Sequence, residues 1–378
     1  MIQIFDKHNC CGCSACVQIC PKQCIVLEED EKGFMYPIVH KEHCINCGLC
    51  EKVCPFLIHG RNHYPIEVYA ASNPDETVRM NSSSGGIFSM LAETILNENG
   101  VVFGACFDEK WNVIHDYTET KDGLEKFRGS KYVQSTIGDT YKKALVFLRN
   151  GRKVLFSGTP CQILGLKNFL KKEYENLLTV DVVCHGVPSP LVWRSYLEYV
   201  NPSNKKISFV NLRDKSRGWK NYSNLIKSKD EILVDEYASS SLYLLGFSLN
   251  LTLRPSCYKC PAKDLKSGSD VTLSDCWGNL KKNNIYDDDK GLSAVIVNSV
   301  KGKSFLDKII LNKKSLTFEF IQKNNPSVSN STIEPYCSKT FWILFKEHGV
   351  KSIDIVRYKL KKNIFFRIYN KIRTKFIR

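Results

Sequence analysis

Apolar and polar positions along the 378 residues change rhythm several times, and each change predicts an element. Between residues 24 and 39, CIVLEEDEKGFMYPIV reads as two short strands around a turn containing Gly33. His59 to Pro65 (HGRNHYP) is polar and turn-rich and reads as a linker. Strands and helices then alternate. EVYAASN is a short strand, SSSGG leads into the helical stretch IFSMLAETILNENG, and VVFGACFD is again a strand. YKKALVFLRNG is helical, KVLFSG a strand, TPCQILGLKNFLKK a helix, and LLTVDVVCHG a further apolar strand. This alternation predicts an α/β body with a mixed, substantially parallel sheet. In such sheets ligands bind outside the carboxyl ends of the strands. The expected units are an N-terminal α+β module over 1–58, a body in two parts over 66–150 and 151–335, and a tail over 336–378.

Composition narrows the class. A chain of this length, 43% hydrophobic, can bury a sizeable core in two or three domains. Seventeen cysteines would suggest a disulfide scaffold only in a short secreted protein. The N-terminus MIQIFDKHNC lacks the basic and apolar regions of a signal peptide. No apolar run reaches the length of about 18 residues needed to span a bilayer. The expected location is therefore cytoplasmic, where thiols stay reduced and can ligate metal. The net charge of +15 is uneven, since Lys359 to Arg378 hold eight Lys/Arg and no Asp/Glu. In that tail Phe365, Ile368, Ile372 and Phe376 recur at helical spacing. A basic amphipathic helix of this kind either contacts the inner face of an anionic membrane peripherally or packs on the body. Basic charge without a motif gives no reason to expect nucleic acid as a partner.

The cysteines carry the chemistry. Cys10, Cys13, Cys16 and Cys20 follow C-x2-C-x2-C-x3-C and are closed by Pro21; Cys44, Cys47, Cys50, Cys54 and Pro55 repeat the pattern. In this bacterial dicluster ferredoxin run, the fourth cysteine of each set ligates the other cluster. Two [4Fe–4S] clusters are therefore expected. Cys10, Cys13, Cys16 and Cys54 would hold one, and Cys44, Cys47, Cys50 and Cys20 the other. Zinc needs four ligands per site and has no use for the doubled run. So small a module has little core of its own, and the clusters are expected to hold it together. Cys11 and Cys24 fall outside the ligand pattern and read as ordinary buried thiols.

In the body, Ser82, Ser83, Ser84, Gly85 and Gly86 precede a helix, which suits either a phosphate at the helix N-terminus or an ordinary cap. Cys161 opens a helix, with Thr159 as N-cap and Pro160 at the first position, where the helix dipole would favour its thiolate. Cys184 ends the next strand in a Cys-His-Gly-Val-Pro loop, and Cys257 and Cys260 form a C-x2-C pair. Those four thiols could hold a third [4Fe–4S] cluster or a structural zinc, with Asp275 and Cys276 as substitutes for one ligand. Cys106 and Cys337 read as structural thiols.

At this point a family resemblance becomes visible. SSSGGIFS (82–89), GSKYVQS (129–135), FSGTPCQILGLK (156–167), DVVCHGVPSP (181–190), RDKSRGW (213–219), RPSCYKC (254–260) and VTLSDCWG (271–278) follow in order. The chain resembles the coenzyme F420 hydrogenase/dehydrogenase beta subunit family, in its bacterial form with a fused N-terminal ferredoxin. The resemblance implies that 66–335 is one flavin domain and that FAD lies near Ser83, Ser84, Gly85, Gly86, Lys131, Tyr132, Gln134 and Ser135. It favours a cluster at Cys161, Cys184, Cys257 and Cys260. It also implies a redox partner protein or reduced carrier, with a small-molecule substrate not fixed by the family name and placed by the fused form in polysaccharide biosynthesis. Lys131, if it faced the pyrimidine end of the flavin, would stabilise the reduced anion. Where members show Gly-Asp and an aromatic before Trp-Gly, this chain has Ser274, Asp275 and Cys276. The expected activity is that of an iron–sulfur flavoenzyme, with catalytic side chains unassigned. The alternative is an electron-transfer subunit that docks a partner oxidoreductase and performs no substrate chemistry.

Overall fold

A computed structural model describes residues 1–309 and 312–362. The N-terminal unit is a hairpin of β1 (Ile25–Glu29) and β2 (Met35–Val39), flanked by the short helices Ala15–Ile19 and Leu49–Lys52. β1 and β2 pair antiparallel with Ile25 opposite Val39. The turn needs glycine, since Gly33 has φ +81° and a Cβ there would fall 2.6 Å from the Leu191 backbone nitrogen. The hairpin tip thus rests on the body's helix Pro190–Val200.

The body follows with β3 (Glu67–Ser72), β4 (Val101–Phe107), β5 (Val113–Thr118), β6 (Val154–Gly158) and β7 (Leu177–Val182). Then come β8 (Ile207–Asp214), β9 (Ser223–Ser228), β10 (Ile232–Tyr237), β11 (Val271–Asp275), β12 (Ser293–Val297) and β13 (Asn312–Ser315). Among the described residues, eight strands form one sheet in the order β13-β3-β12-β11-β7-β6-β4-β5. The centre, β11-β7-β6-β4, is parallel, and antiparallel strands flank it on both sides. Both faces are covered, so the central strands read as nearly continuous apolar runs. Val102, Leu155 and Leu178 pack with Ile87, Leu91 and Ile95 of helix Ile87–Asn97. Their neighbours Phe103, Val154, Phe156 and Leu177 face Tyr141 and Ala144 of helix Thr140–Arg149, and Ile163 and Leu166 of helix Pro160–Leu170.

Cys11, Cys13, Ala15 and Val53 belong to this second apolar cluster. The N-terminal unit therefore shares its interior with the body and does not depend on its clusters alone, which corrects the expectation from its size. A smaller set of its own contains Ile2, Cys24, Ile25 and Cys50.

Sequence periodicity gave no warning of the antiparallel sheet β10-β9-β8. It packs with Trp193, Tyr196 and Tyr243 and with Phe341, Trp342, Ile353, Val356 and Leu360. The last five lie on helices Ser338–His348 and Ser352–Lys362. Residues 336–378 therefore begin as a buried part of the body and not as a tail. Phe365, Ile368, Ile372 and Phe376 lie outside the described residues. Among the described residues no helix is long and apolar enough to cross a membrane.

Candidate iron–sulfur centres

In the N-terminal unit, two residues with positive φ aim each cysteine loop, Gly12 and Ser14 in the first and Asn46 and Gly48 in the second. Ser14 (φ 60°) and Gly48 (φ 70°) each precede one of the short helices. The loops bend around two apolar hollows. One, of about 370 Å³, is lined by Cys10, Cys13, Cys16 and Cys54 with Ile2, Ile4, Leu27 and Pro37. The other, of about 360 Å³, is lined by Cys20, Cys44, Cys47 and Cys50 with Ile25, Val39 and Ile45. Cys24 borders the second hollow, its Sγ 3.5 Å from Cys20 Sγ. Each hollow is ringed by cysteines from both halves of the unit, as the crossed ligand rule requires. No three His, Cys, Asp or Glu side chains of the described residues close on a single point as they would around one metal ion.

The hollow of the Cys44 set reaches the surface, where Cys47 is exposed. The hollow of the Cys10 set faces inward. A Cβ on Gly165 of helix Pro160–Leu170 would lie 2.9 Å from Cys13 Sγ. Cys11 is more than an ordinary buried thiol, because its Sγ shares hydrogen bonds with both Cys13 and Cys161. The hydrogen bond with Cys13, and burial, push the Cys11 thiol well up against the opposing pull of Cys161.

Cys161, Cys184, Cys257 and Cys260 come from three places along the chain. Cys161 follows β6, Cys184 follows β7, Cys257 lies within the turn Pro255–Lys259 and Cys260 ends it, so the first two stand at the carboxyl edge of the parallel strands. The four thiols lie within one another's electrostatic field, and burial pushes Cys184 and Cys260 up to about 12. Cys161 does not behave as its helix N-terminus alone would dictate. The hydrogen bond with Cys11, and then burial, push its thiol well up instead of favouring the thiolate. Backbone Val187 N–H donates to Cys257 Sγ at 3.3 Å. Lys263 Nζ donates to the carbonyls of Cys184 (2.5 Å) and Ser327 (2.7 Å), which places a cation beside the set. Neither substitute ligand joins it. Cys276 is fully buried beside Trp219 and Leu280, and Asp275 pairs with Arg213 at 2.8 Å.

The residues expected around FAD are divided between two places. Ser83 Oγ accepts from Ser130 N–H at 2.6 Å, and Ser84 Oγ donates to Leu292 O at 2.7 Å. Gly85 is required by packing, since a Cβ would lie 2.6 Å from Ala71 O. Gly86 has φ +80° and starts helix Ile87–Asn97. Lys131 is a correction to the flavin-facing expectation. Its Nζ donates to the carbonyls of Lys126, Arg128 and Gly129 at 2.9, 2.6 and 3.1 Å, so every proton is already bound within its own loop. Burial lowers its pKa to about 8. Gln134 and Ser135 point elsewhere as well. Gln134 donates to Cys11 O at 3.0 Å, and Ser135 Oγ accepts from Gln162 at 2.9 Å, beside the Cys161 helix. Tyr132 stays with the serine side through its hydroxyl, which accepts from Arg213 Nη1 at 3.0 Å.

A family model for the C terminus of the beta subunit of coenzyme F420 hydrogenase/dehydrogenase matches residues 151–323, and a 4Fe-4S dicluster domain matches 9–58. Residues 151–323 belong to that family. The chain is an iron–sulfur electron-transfer protein of the hydrogenase/dehydrogenase type, and residues 9–58 provide for two [4Fe–4S] clusters. No curated protein matches it. Among solved structures, one described as the xenon derivatization of the F420-reducing [NiFe] hydrogenase complex from Methanosarcina barkeri contains a similar chain. That chain is 16% identical over 80% of this chain and 95% of its own, with a TM-score of 0.48.

In this beta-subunit domain, sequence reasoning passed over Arg213 and Arg254, which stand inside the motifs RDKSRGW and RPSCYKC but were not singled out. Arg213 lies 4.7 Å from the Tyr222 ring and 5.7 Å from the Trp277 ring, beside the stacked pair Trp219 and Trp277 with centroids 4.3 Å apart. Its Nε and Nη2 are buried without a hydrogen-bond partner. Buried donors normally have partners, so this pair suits an acceptor-bearing ligand. Arginine beside an aromatic in RDKSRGW was the available signal.

Proposed function

We propose that the chain is an iron–sulfur flavoprotein oxidoreductase that passes single electrons between ferredoxin-type clusters and FAD for a small-molecule substrate. The observation that carries this reading is the order of the cysteine sets. Cys47 lies at the surface, Cys13 lies against helix Pro160–Leu170, and Cys11 lies between Cys13 and Cys161. Electron transfer needs neighbouring redox centres and no proton movement, so cysteine sets that succeed one another from surface to interior fit a relay. Cys161, Cys184, Cys257 and Cys260 would hold the third cluster, with Val187 N–H and Lys263 offsetting the charge of the thiolates. FAD would take up two electrons together and release them singly. Arg213, Tyr132, Ser83 and Ser84 would bind it, with the unpartnered Nε and Nη2 of Arg213 as donors. A protein or reduced carrier would meet the chain at the Cys44 set.

Anaerobic purification with iron and flavin analysis tests the reading. The expected result is stoichiometric FAD with about twelve irons, three cubanes' worth. A flavin-free protein with its clusters intact would establish instead an electron-transfer subunit that docks a partner oxidoreductase. The basic tail is proposed to add peripheral contact with anionic membrane. Co-sedimentation with anionic liposomes should favour the full chain over one ending at Lys362, and equal recovery would exclude that contact.

A further inference from the structure

The reading above, on which this inference rests, makes the two ferredoxin clusters successive stations. One buried cation makes them unequal. Arg254 is fully buried and lies at the junction of the N-terminal unit and the body. Its Nε donates to Cys10 O at 2.7 Å, Nη1 to Gln134 Oε1 at 2.9 Å, and Nη2 to Met35 O at 2.9 Å. Nη2 also donates to Cys10 Sγ at 3.5 Å. The guanidinium lies 4.3 Å from the Tyr36 ring centroid and 5.3 Å from that of Phe34. Its charge is thus met by carbonyl oxygens, aromatic faces and a thiol, and by no carboxylate among these contacts. Gly12 leaves the space for it, since a Cβ there would fall 2.9 Å from Nη1. Arg254 is also tied to the third set, because its own N–H donates to Val187 O and its carbonyl accepts from Cys257 N–H.

We propose that Arg254 is a potential-setting residue that raises the reduction potential of the cluster held by Cys10, Cys13, Cys16 and Cys54, making it the acceptor for electrons arriving at the outer cluster. Reduction adds one negative charge to a cluster already surrounded by thiolates. Burial alone opposes that, and hydrogen bonds to the ligand sulfurs and nearby cations favour it. In a low-dielectric junction a fixed cation acts with little screening. Of the cations lining the other hollow, Lys22 is exposed and therefore screened by solvent and salt, and the Met1 ammonium is paired with the Glu51 carboxylate at 3.3 Å. The electron passes from outer to inner cluster with no proton, since a guanidinium keeps its proton in proteins. The fork is held at three other acceptors and cannot swing away from Cys10.

The test is an EPR-monitored redox titration of the full anaerobic protein, as wild type, Arg254→Met and Arg254→Lys, with iron measured on each. In Arg254→Met, one ferredoxin signal should shift at least tenfold toward the oxidised form at a given potential, which is about 59 mV for a one-electron couple. The other signal should stay in place. Arg254→Lys keeps the charge but loses the fork, and should shift the same signal by less. It decides the matter if Arg254→Met fails to hold iron. Unchanged potentials in a variant that retains its irons would overturn the proposal and leave the relay reading intact. A wild type without reducible [4Fe–4S] signals would remove the relay reading itself.

Discussion

The two hollows of the N-terminal unit have the same cysteine spacing and similar volumes, yet their surroundings differ. The Cys44 set opens to solvent through exposed Cys47, with Ile45 also exposed. The Cys10 set packs against Gly165, Gln134 and Arg254 of the body. A repeated motif therefore gives an outer and an inner site because only one copy packs against the core of the body. The difference between them comes from what each is packed against and not from the ligands.

The largest expected contrast comes from Cys47→Ala and Cys13→Ala. Each should lose about four irons, one cubane's worth. Only Cys13→Ala should also lower the melting temperature of the body, because Cys13 belongs to the core around Phe103, Tyr141 and Ile163. Equal melting temperatures in the two variants would break the distinction between inner and outer sites. Next in size, Cys257→Ala with Cys260→Ala should remove about four irons while both ferredoxin EPR signals persist. Loss of zinc with no change in iron would show that the third set is a structural metal site and end the relay at the Cys10 set.

Gly165→Ala probes that packing directly. Its Cβ would lie 2.9 Å from both Cβ and Sγ of Cys13. Overpacking of this kind should destabilise by about 1–3 kcal/mol in thermal unfolding and hasten loss of iron from the inner site. An unaltered unfolding curve would mean that the contact is loose. The smallest effect is expected for Ile45→Glu at the outer rim, where the residue is 57% exposed. Reduction by a protein donor should slow a few-fold, as for a rim contact that alters association, while reduction by a small dye stays unchanged. Equal slowing of both would place the change at the cluster itself.

Legibility followed the range of each interaction. The strands VVFGACFD, KVLFSG and LLTVDVVCHG were readable because a parallel strand buried on both faces must be apolar throughout. β8 to β10 were not, since their burial depends on helices more than a hundred residues further along the chain, such as Ser338–His348. Lys131 and Gln134 fall within one short motif, yet their side chains serve different neighbours. One closes its own loop, and the other braces Cys11. Motif membership fixes backbone position and says little about where a long polar side chain ends.

By itself the sequence determined which thiols could share a cubane, because a spacing of two or three residues limits reach whatever surrounds it. It also determined the α/β alternation, since apolar periodicity is a local property of the chain. Only the tertiary structure decided that Cys11 meets Cys161, that Cys276 is buried apart from the four body thiols, and that Arg254 reaches Cys10 across 244 positions of sequence. The physical reason is that burial and electrostatic field depend on proximity in space. Chain order does not encode that proximity once the segments are far apart.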